Sequence, residues 1–314
     1  MTCCAIIEGK EVLPMQKKKW IGNILLVLTA LIWGTAFVFQ RVGMESIEPI
    51  TFTAARMSIA AAAVGLVTVI AHRIFKKSAA VTPTTNRRLT VIGGIVCGVF
   101  LASASILQQI GIVDTSAGKA GFITSLYILM VPVIQWILFR QKSPLRVWLA
   151  VMLGLVGMYL LCVKENFSLT FGDTMIAGCA LLFSGHILCC DYFVKRADPL
   201  WLSTIQFLTT AILSAVVALF TETPTWEKIV SAMIPILYCG IVSGGIGYTL
   251  QIVAQKFTDP TIASLLMSLE SVFAALAGTI LLHESMSLQE GIGCIILFAA
   301  IIWAQIPLPK KHRP

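Results

Sequence analysis

Ten mostly apolar stretches, separated by short polar connections, make up nearly all of this chain. They run over Trp20–Gln40, Ile50–Ala71, Leu89–Ile112, Ala120–Phe139, Val147–Val163, Thr174–Val194, Leu200–Phe220, Ile229–Gln255, Thr261–Leu282 and Gln289–Ile306. About 20 apolar residues in a helix cross the roughly 30 Å of hydrocarbon in a bilayer. The pattern therefore predicts an all-α integral membrane protein with ten transmembrane helices. Proline marks the connections, at Glu48-Pro49, Ser143-Pro144, Asp198-Pro199, Thr223-Pro224 and Asp259-Pro260. Each proline disfavours helix at the residue before it, which sets a helix end there.

The polar positions repeat. A shift of 143 places Leu107–Leu145 over Leu250–Leu288 without a gap, matching Gln108 with Gln251, Thr115 with Thr258, Ser125 with Ser268 and Leu126 with Leu269. Nearer the start of each half the shift is 150, pairing Pro49 with Pro199. Leucines coincide readily in apolar sequence, so the Gln, Thr and Pro matches carry the signal. Two units result, 20–163 and 174–306, flanked by tails 1–19 and 307–314. Each unit has five spans, an odd number, so the second starts on the opposite side of the membrane. Inverted repeats of this kind suit alternating access to a site near the midplane.

Charge fixes the orientation. One set of connections and tails holds Lys10, Lys17, Lys18, Lys19, Arg73, Lys76, Lys77, Arg87, Arg88, Arg140, Lys142, Arg146, Lys195, Arg196, Lys256, Lys310, Lys311 and Arg313. The other holds Arg41, Lys119, Lys164 and Lys228. Cytoplasmic loops retain Lys and Arg, which places both termini in the cytoplasm of a multi-pass cell (inner or plasma) membrane protein. The net charge of +8 is accounted for by this bias and calls for no nucleic-acid partner, though it favours anionic lipid. With 57% hydrophobic and 12% charged residues, no separate soluble domain is expected. The first span is long and lacks a small-residue cleavage site, so it reads as a retained helix. The nine cysteines contain no CxxC, and most read as small apolar packing residues. Neither a metal nor another cofactor is expected. Asn166-Phe167-Ser168 fits a glycosylation acceptor on the non-cytoplasmic side, close to the end of span five.

Several short motifs in order resemble the EamA-type, ten-helix members of the drug/metabolite transporter superfamily. They are Leu31-Ile32-Trp33-Gly34, Ala55-Arg56-Met57, Leu138-Phe139-Arg140-Gln141-Lys142, and Leu269-Glu270-Ser271-Val272-Phe273 running on to His283-Glu284. The resemblance extends from about Trp20 to about Ile306. It implies a ten-helix fold that exports or exchanges small metabolites, amino acids or drugs, commonly without ATP. Similar proteins usually carry proline where this chain has Ser271, so a kink in span nine does not follow from the resemblance.

Glu270 stands out because it lies about 13 Å into span nine, at 1.5 Å per residue. An ionisable group at that depth is costly and should face the bundle interior or water. A carboxyl that takes up and releases a proton there is the candidate for coupling; the alternative is a carboxyl locked between helices. Its repeat partner is Tyr127, so that role would be asymmetric. Arg56, in span two, suits either a structural bond to carbonyls or the capture of a substrate carboxylate by its planar fork, the structural role being favoured. The repeat pair Gln108 and Gln251 can bond helices together or hold a polar ligand. Trp33, Phe37, Tyr127, Tyr238 and Tyr248, with Trp136 and Phe183, are candidates for an aromatic lining, although aromatic residues also pack or face lipid. His186 and Asp191 are too far apart in rotation to share one helix face, which argues against a relay between them. Pro132 and Pro235 are expected to kink spans four and eight. Gly94 with Gly98, Gly240 with Gly244, and Gly118 with Gly121 are spaced for close helix contact.

These features favour a secondary transporter for small organic solutes, amino acids or amphipathic compounds among them. The sequence has no GxxxxGK[ST] phosphate loop, which disfavours a nucleotide-driven pump. It has neither HExxH nor GxSxG, which disfavours an intramembrane enzyme. A passive channel stays open on sequence grounds, as does a homo-oligomer.

Overall fold

The structure, a computed structural model, describes residues 15–76, 86–115, 117–162, 170–281 and 286–305. Lys10, Lys77, Lys164, Asn166-Phe167-Ser168, His283-Glu284 and the tail residues Lys310, Lys311 and Arg313 lie outside them. Among the described residues the fold is entirely helical, in ten apolar segments. These are α1 (Met15–Gly43), α2 (Pro49–Lys76), α3 (Arg87–Asp114), α4 (Ala117–Thr124 with Tyr127–Phe139) and α5 (Leu145–Cys162). The rest are α6 (Phe171–Val194), α7 (Pro199–Thr221), α8 (Met233–Leu237, Tyr238–Tyr248 and Thr249–Gln255), α9 (Pro260–Met267 with Glu270–Leu281) and α10 (Leu288–Gln305). A short helix, Trp226–Ser231, leads into α8. Eight of these segments are long and apolar enough to cross a membrane. The other two, α5 and α10, are 18 residues each, about 27 Å at 1.5 Å per residue, slightly less than the hydrocarbon thickness.

Four of the segments, α2, α5, α7 and α9, start where the prolines predict. Asp198 and Asp259 cap α7 and α9, each accepting backbone N–H bonds just ahead of a proline in the first turn. Several helices outrun the apolar stretches; α1, for example, continues to Met15 and to Gly43. Hydropathy marks what lipid covers, whereas backbone bonding continues through flanking lysines that form helix well.

Spans four, eight and nine are not uniform α-helices. Spans four and nine are each interrupted, at Ser125-Leu126 and at Ser268-Leu269, which the repeat places in register. At both places backbone bonds shorten to three residues: Leu126 N to Ile123 O at 3.2 Å, and Leu269 N to Leu266 O at 3.3 Å. Span nine is thus broken without a proline, and Pro132 sits inside the continuous second part of α4. In α8, Pro235 lies in the first part, and the chain then widens into π-helix over Tyr238–Tyr248, which contains Gly240, Gly244, Gly245 and Gly247. A Cβ on Gly240 would come 2.8 Å from Arg56 O, and one on Gly247 would come 2.8 Å from Trp33 Nε1. The glycines therefore let the wide segment lie directly on α2 and α1.

Helix pairing respects the repeat. The first helix packs on α9 and α8, while α6 packs on α4 and α3. In the same way α3 packs on α7 and α8 on α2, whereas α2–α7 and α5–α10 pair across the halves. Exchanging the two halves maps each of these pairs onto another or onto itself. The α2–α7 pair is tied at both ends. Glu222, ending α7, accepts from Ile50 N (2.9 Å), Thr51 N (2.7 Å) and Thr51 Oγ1 (2.6 Å) at the start of α2. At the far end His72 Nε2 lies 3.2 Å from Asp198 Oδ2.

Candidate functional site

The two interrupted helices meet at Glu270. It opens the second part of α9, in the first turn, where the helix dipole favours an acidic residue. Its Oε1 accepts from Tyr127 Oη at 3.0 Å and from Ser125 Oγ at 3.2 Å, both on α4 at or next to the other break. Ser125 Oγ also pairs with Ser271 Oγ at 2.9 Å. The repeat partners Tyr127 and Glu270 are thus bonded to each other, and serine at 271 stitches the two breaks where proline would supply no donor. All four side chains are buried.

A narrow cavity opens beside this junction, between α1, α2, α3, α4, α6, α8 and α9. Its walls include Trp33, Phe37, Arg56, Gln108, Tyr127, Tyr248, Gln251 and Glu270, and also Phe183 and His186. Arg56 is only 4% exposed, yet its hydrogen bonding is sparse. Nη1 donates to Gln40 Oε1 at 3.3 Å, the guanidinium sits 5.7 Å from the Phe52 ring centre, and Nε has no partner. The two repeat-related glutamines differ. Gln108 donates to Thr124 Oγ1 at 3.3 Å, whereas neither polar atom of Gln251 is bonded. One wall is aromatic: the Trp33 and Tyr248 rings are 4.6 Å apart, and Trp33 Nε1 donates to Ser243 O at 3.3 Å. That carbonyl lies in the π-wound part of α8.

Tyr238 is not part of this wall. It stacks on Phe39 at 4.0 Å and its hydroxyl meets Thr35 Oγ1, on the α1–α8 seam. Trp136 points outward, 52% exposed. His186 and Asp191 are separate, as their rotation predicts: His186 lines the cavity, while Asp191 pairs with Lys195 at 2.7 Å. Gln40, Thr124 and Ser243 also line the cavity and were not singled out from sequence. Gln40 ends an apolar stretch and reads as a boundary residue, while Thr and Ser within spans usually bond their own helix. Cys97, Cys179, Cys189, Cys190, Cys239 and Cys294 are free, and among the described residues no three His, Cys, Asp or Glu side chains converge on a metal position.

A buried cavity at the meeting of two helical halves, lined by Glu270, Arg56, His186 and amides, sits in a chain with eight helices long and apolar enough to cross a membrane. The EamA-like transporter family matches residues 20–163 and 170–305, and the chain belongs to that family. An "uncharacterized transporter" of Archaeoglobus fulgidus is 27% identical over 285 residues, covering 91% of this chain and 86% of its own. The "uncharacterized transporter YwfM" of Bacillus subtilis is 24% identical over 303 residues, covering 93% and 96%. A WAT1-related protein of Arabidopsis thaliana is 29% identical over 152 residues, 46% of this chain and 40% of that one. A crystal structure at 18% identity shares the fold, with a TM-score of 0.72 over 90% of this chain and 96% of the other.

Proposed function

We propose that this protein is a secondary transporter of the cell membrane that exports small organic solutes by alternating access through the cavity beside Glu270. In this reading all ten segments span the bilayer, as two inverted five-helix repeats with both termini cytoplasmic. The two short segments, α5 and α10, pair with each other, so a modest local thinning accommodates both. The invariance of helix pairing to exchange of the halves supports the inverted arrangement, because exchanging their roles would move the opening from one face to the other.

The single observation that carries the reading is the unsatisfied chemistry of the cavity wall. A buried guanidinium with an unbonded Nε, a glutamine with no bonds, and a carboxylate held by only one oxygen all face one space. Buried polar groups are normally bonded, so these fit a polar guest. Arg56 suits the guest's carboxylate, Glu270 suits a cationic group or a proton, and Trp33, Tyr248 and Phe183 suit an apolar body. Amino acids and related amphipathic metabolites meet all three demands.

The deciding experiment is flux in proteoliposomes loaded with a panel of labelled amino acids and amphipathic metabolites. A carrier gives saturable efflux that speeds up when unlabelled solute is present on the far side. Flux that rises linearly with concentration and ignores the far side identifies a channel and ends the carrier reading.

A further inference from the structure

The unsatisfied polar groups do not stop at the cavity. They continue toward the end of the bundle where α6 stops, α7 starts and α8 stops. Gln251 is the first of them, unbonded at both polar atoms. One turn further along α8, Gln255 donates to Ile187 O at 3.0 Å and leaves its Oε1 without a partner. On α7, Gln206 has its Oε1 3.1 Å from His186 Nε2 and its amide nitrogen unbonded. Ser203, one turn nearer the same end, has an unbonded hydroxyl. These four side chains are all 0% exposed. Each buried unbonded group costs about 1–3 kcal/mol, so packing α6, α7 and α8 for stability alone would favour apolar residues here.

Beside them runs an apolar cluster. Cys97, Cys190, Val194, Leu202 and Ile252 form a separate apolar cluster at that end. It joins α3 of the first half to α6, α7 and α8 of the second. Cys190 Sγ lies 3.8 Å from Cys97 Sγ and 3.4 Å from His186 Nε2, so the cluster touches the polar seam.

We propose that the seam is a second, inner binding lane for the solute, flanked by the Cys97–Cys190 cluster. The lane leads from the central cavity to the face bearing Lys195, Arg196 and Lys256. It carries no charged side chain, so it takes the part of the solute that both donates and accepts hydrogen bonds, a hydroxyl or an amide, with water in its place when the solute is absent. The fixed charges of the solute stay matched at Arg56 and Glu270. The lane rests on the carrier reading for its role in export, and its existence is read by access rather than by flux.

The test uses the full chain in lipid nanodiscs and a cationic methanethiosulfonate reagent, which does not enter hydrocarbon. Labelling is read by peptide fragmentation that resolves Cys190 from Cys189. A hydrated lane labels Cys190 at least tenfold faster than a cysteine introduced on the outer face of α7 by Leu208→Cys, a position 51% exposed. Gln251→Leu and Gln255→Leu each slow Cys190 labelling at least tenfold while leaving the thermal midpoint equal or higher. Cys190 labelling no faster than that of the Leu208→Cys control overturns the lane, whether or not the leucine variants fold. So does labelling that folded leucine variants leave unchanged. Saturable flux with an unlabelled Cys190 removes the lane and keeps the carrier; a labelled Cys190 without saturable flux does the reverse.

Discussion

Glu270 is held by one oxygen only, and that asymmetry allows its two possible duties to be separated. Glu270→Gln retains a carbonyl oxygen for Tyr127 and Ser125, so folding stability is expected to change by less than about 1 kcal/mol. Proton-coupled flux needs the carboxyl itself, so this variant is expected to lose the pH dependence of transport. A pH profile unchanged from the parent protein removes the proton role. For Arg56 the expected effect lies in affinity. Arg56→Lys keeps the charge but loses the planar fork. A charged hydrogen bond is worth about 1.5–3 kcal/mol, so apparent affinity for carboxylate solutes is expected to fall roughly 10- to 100-fold, with esters of the same solutes unaffected. Both residues are conspicuous in sequence because a charge inside an apolar run is rare and needs a reason. Gln40 and Ser243 are not conspicuous. Gln40 looks like a helix end, and Ser243 contributes a backbone carbonyl, which residue type does not reveal.

At the scale of helices, close approach decides what can be changed. Gly34 lies where α1 crosses the break in α9, and a Cβ there would meet Phe273 Cβ at 2.5 Å and Glu270 O at 2.7 Å. Ala274 N would be 2.8 Å away as well, so two of the three nearest atoms are backbone, which cannot move aside independently. Gly34→Ala is therefore expected to destabilise the protein by about 1–3 kcal/mol, seen as a lowered thermal midpoint in detergent. Gly291→Ala, which meets nothing within 4 Å, is the matched control and should lose far less. The positions of Gly34, Gly98 and Gly240 are evident in sequence, but their partners are not, since the spacing of small residues permits contact without choosing a neighbour. The breaks at Ser125-Leu126 and Ser268-Leu269 are a stronger case. The repeat aligns these residues, yet nothing in Ser-Leu demands an interruption, because both residues are compatible with helix. The crossing of α4 and α9, with its serine and carboxyl bonds, supplies the reason.

Across the whole molecule, α2 and α7 join the halves, and their ends differ chemically. At the end away from the lysine-rich loops, Glu48 is paired with Lys228, and Thr223 Oγ1 donates to Glu48 Oε1 at 3.4 Å. The Lys228 hydrogen bond, outweighing the opposing effect of burial, holds the Glu48 carboxyl below its ordinary value of 4.5. A depressed value means that the folded state favours the ionised form. The pair therefore contributes above the unfolded value and is lost as pH falls through the folded one. Because the pair is partly exposed, its contribution is at most about 1 kcal/mol. The thermal midpoints of the parent protein and Glu48→Gln are expected to differ slightly at pH 7 and to converge as pH falls through the lowered Glu48 value. A gap that persists at pH 3 would mean that the difference is packing and not charge.

The sequence by itself determined the class of fold, the repeat, the helix starts at Asp198 and Asp259, and the charged residues Arg56 and Glu270 within apolar spans. Each of these follows from free energies that belong to single residues or short runs: transfer to hydrocarbon, the conformational limits of proline, and the cost of a buried ion. Only the tertiary structure decided that Tyr127 bonds Glu270, that Gln251 stays unbonded while Gln108 does not, and that Tyr238 turns to the α1–α8 seam. Those outcomes depend on which helices cross and at what height. Residues far apart in the chain set those crossings, and no local preference encodes them.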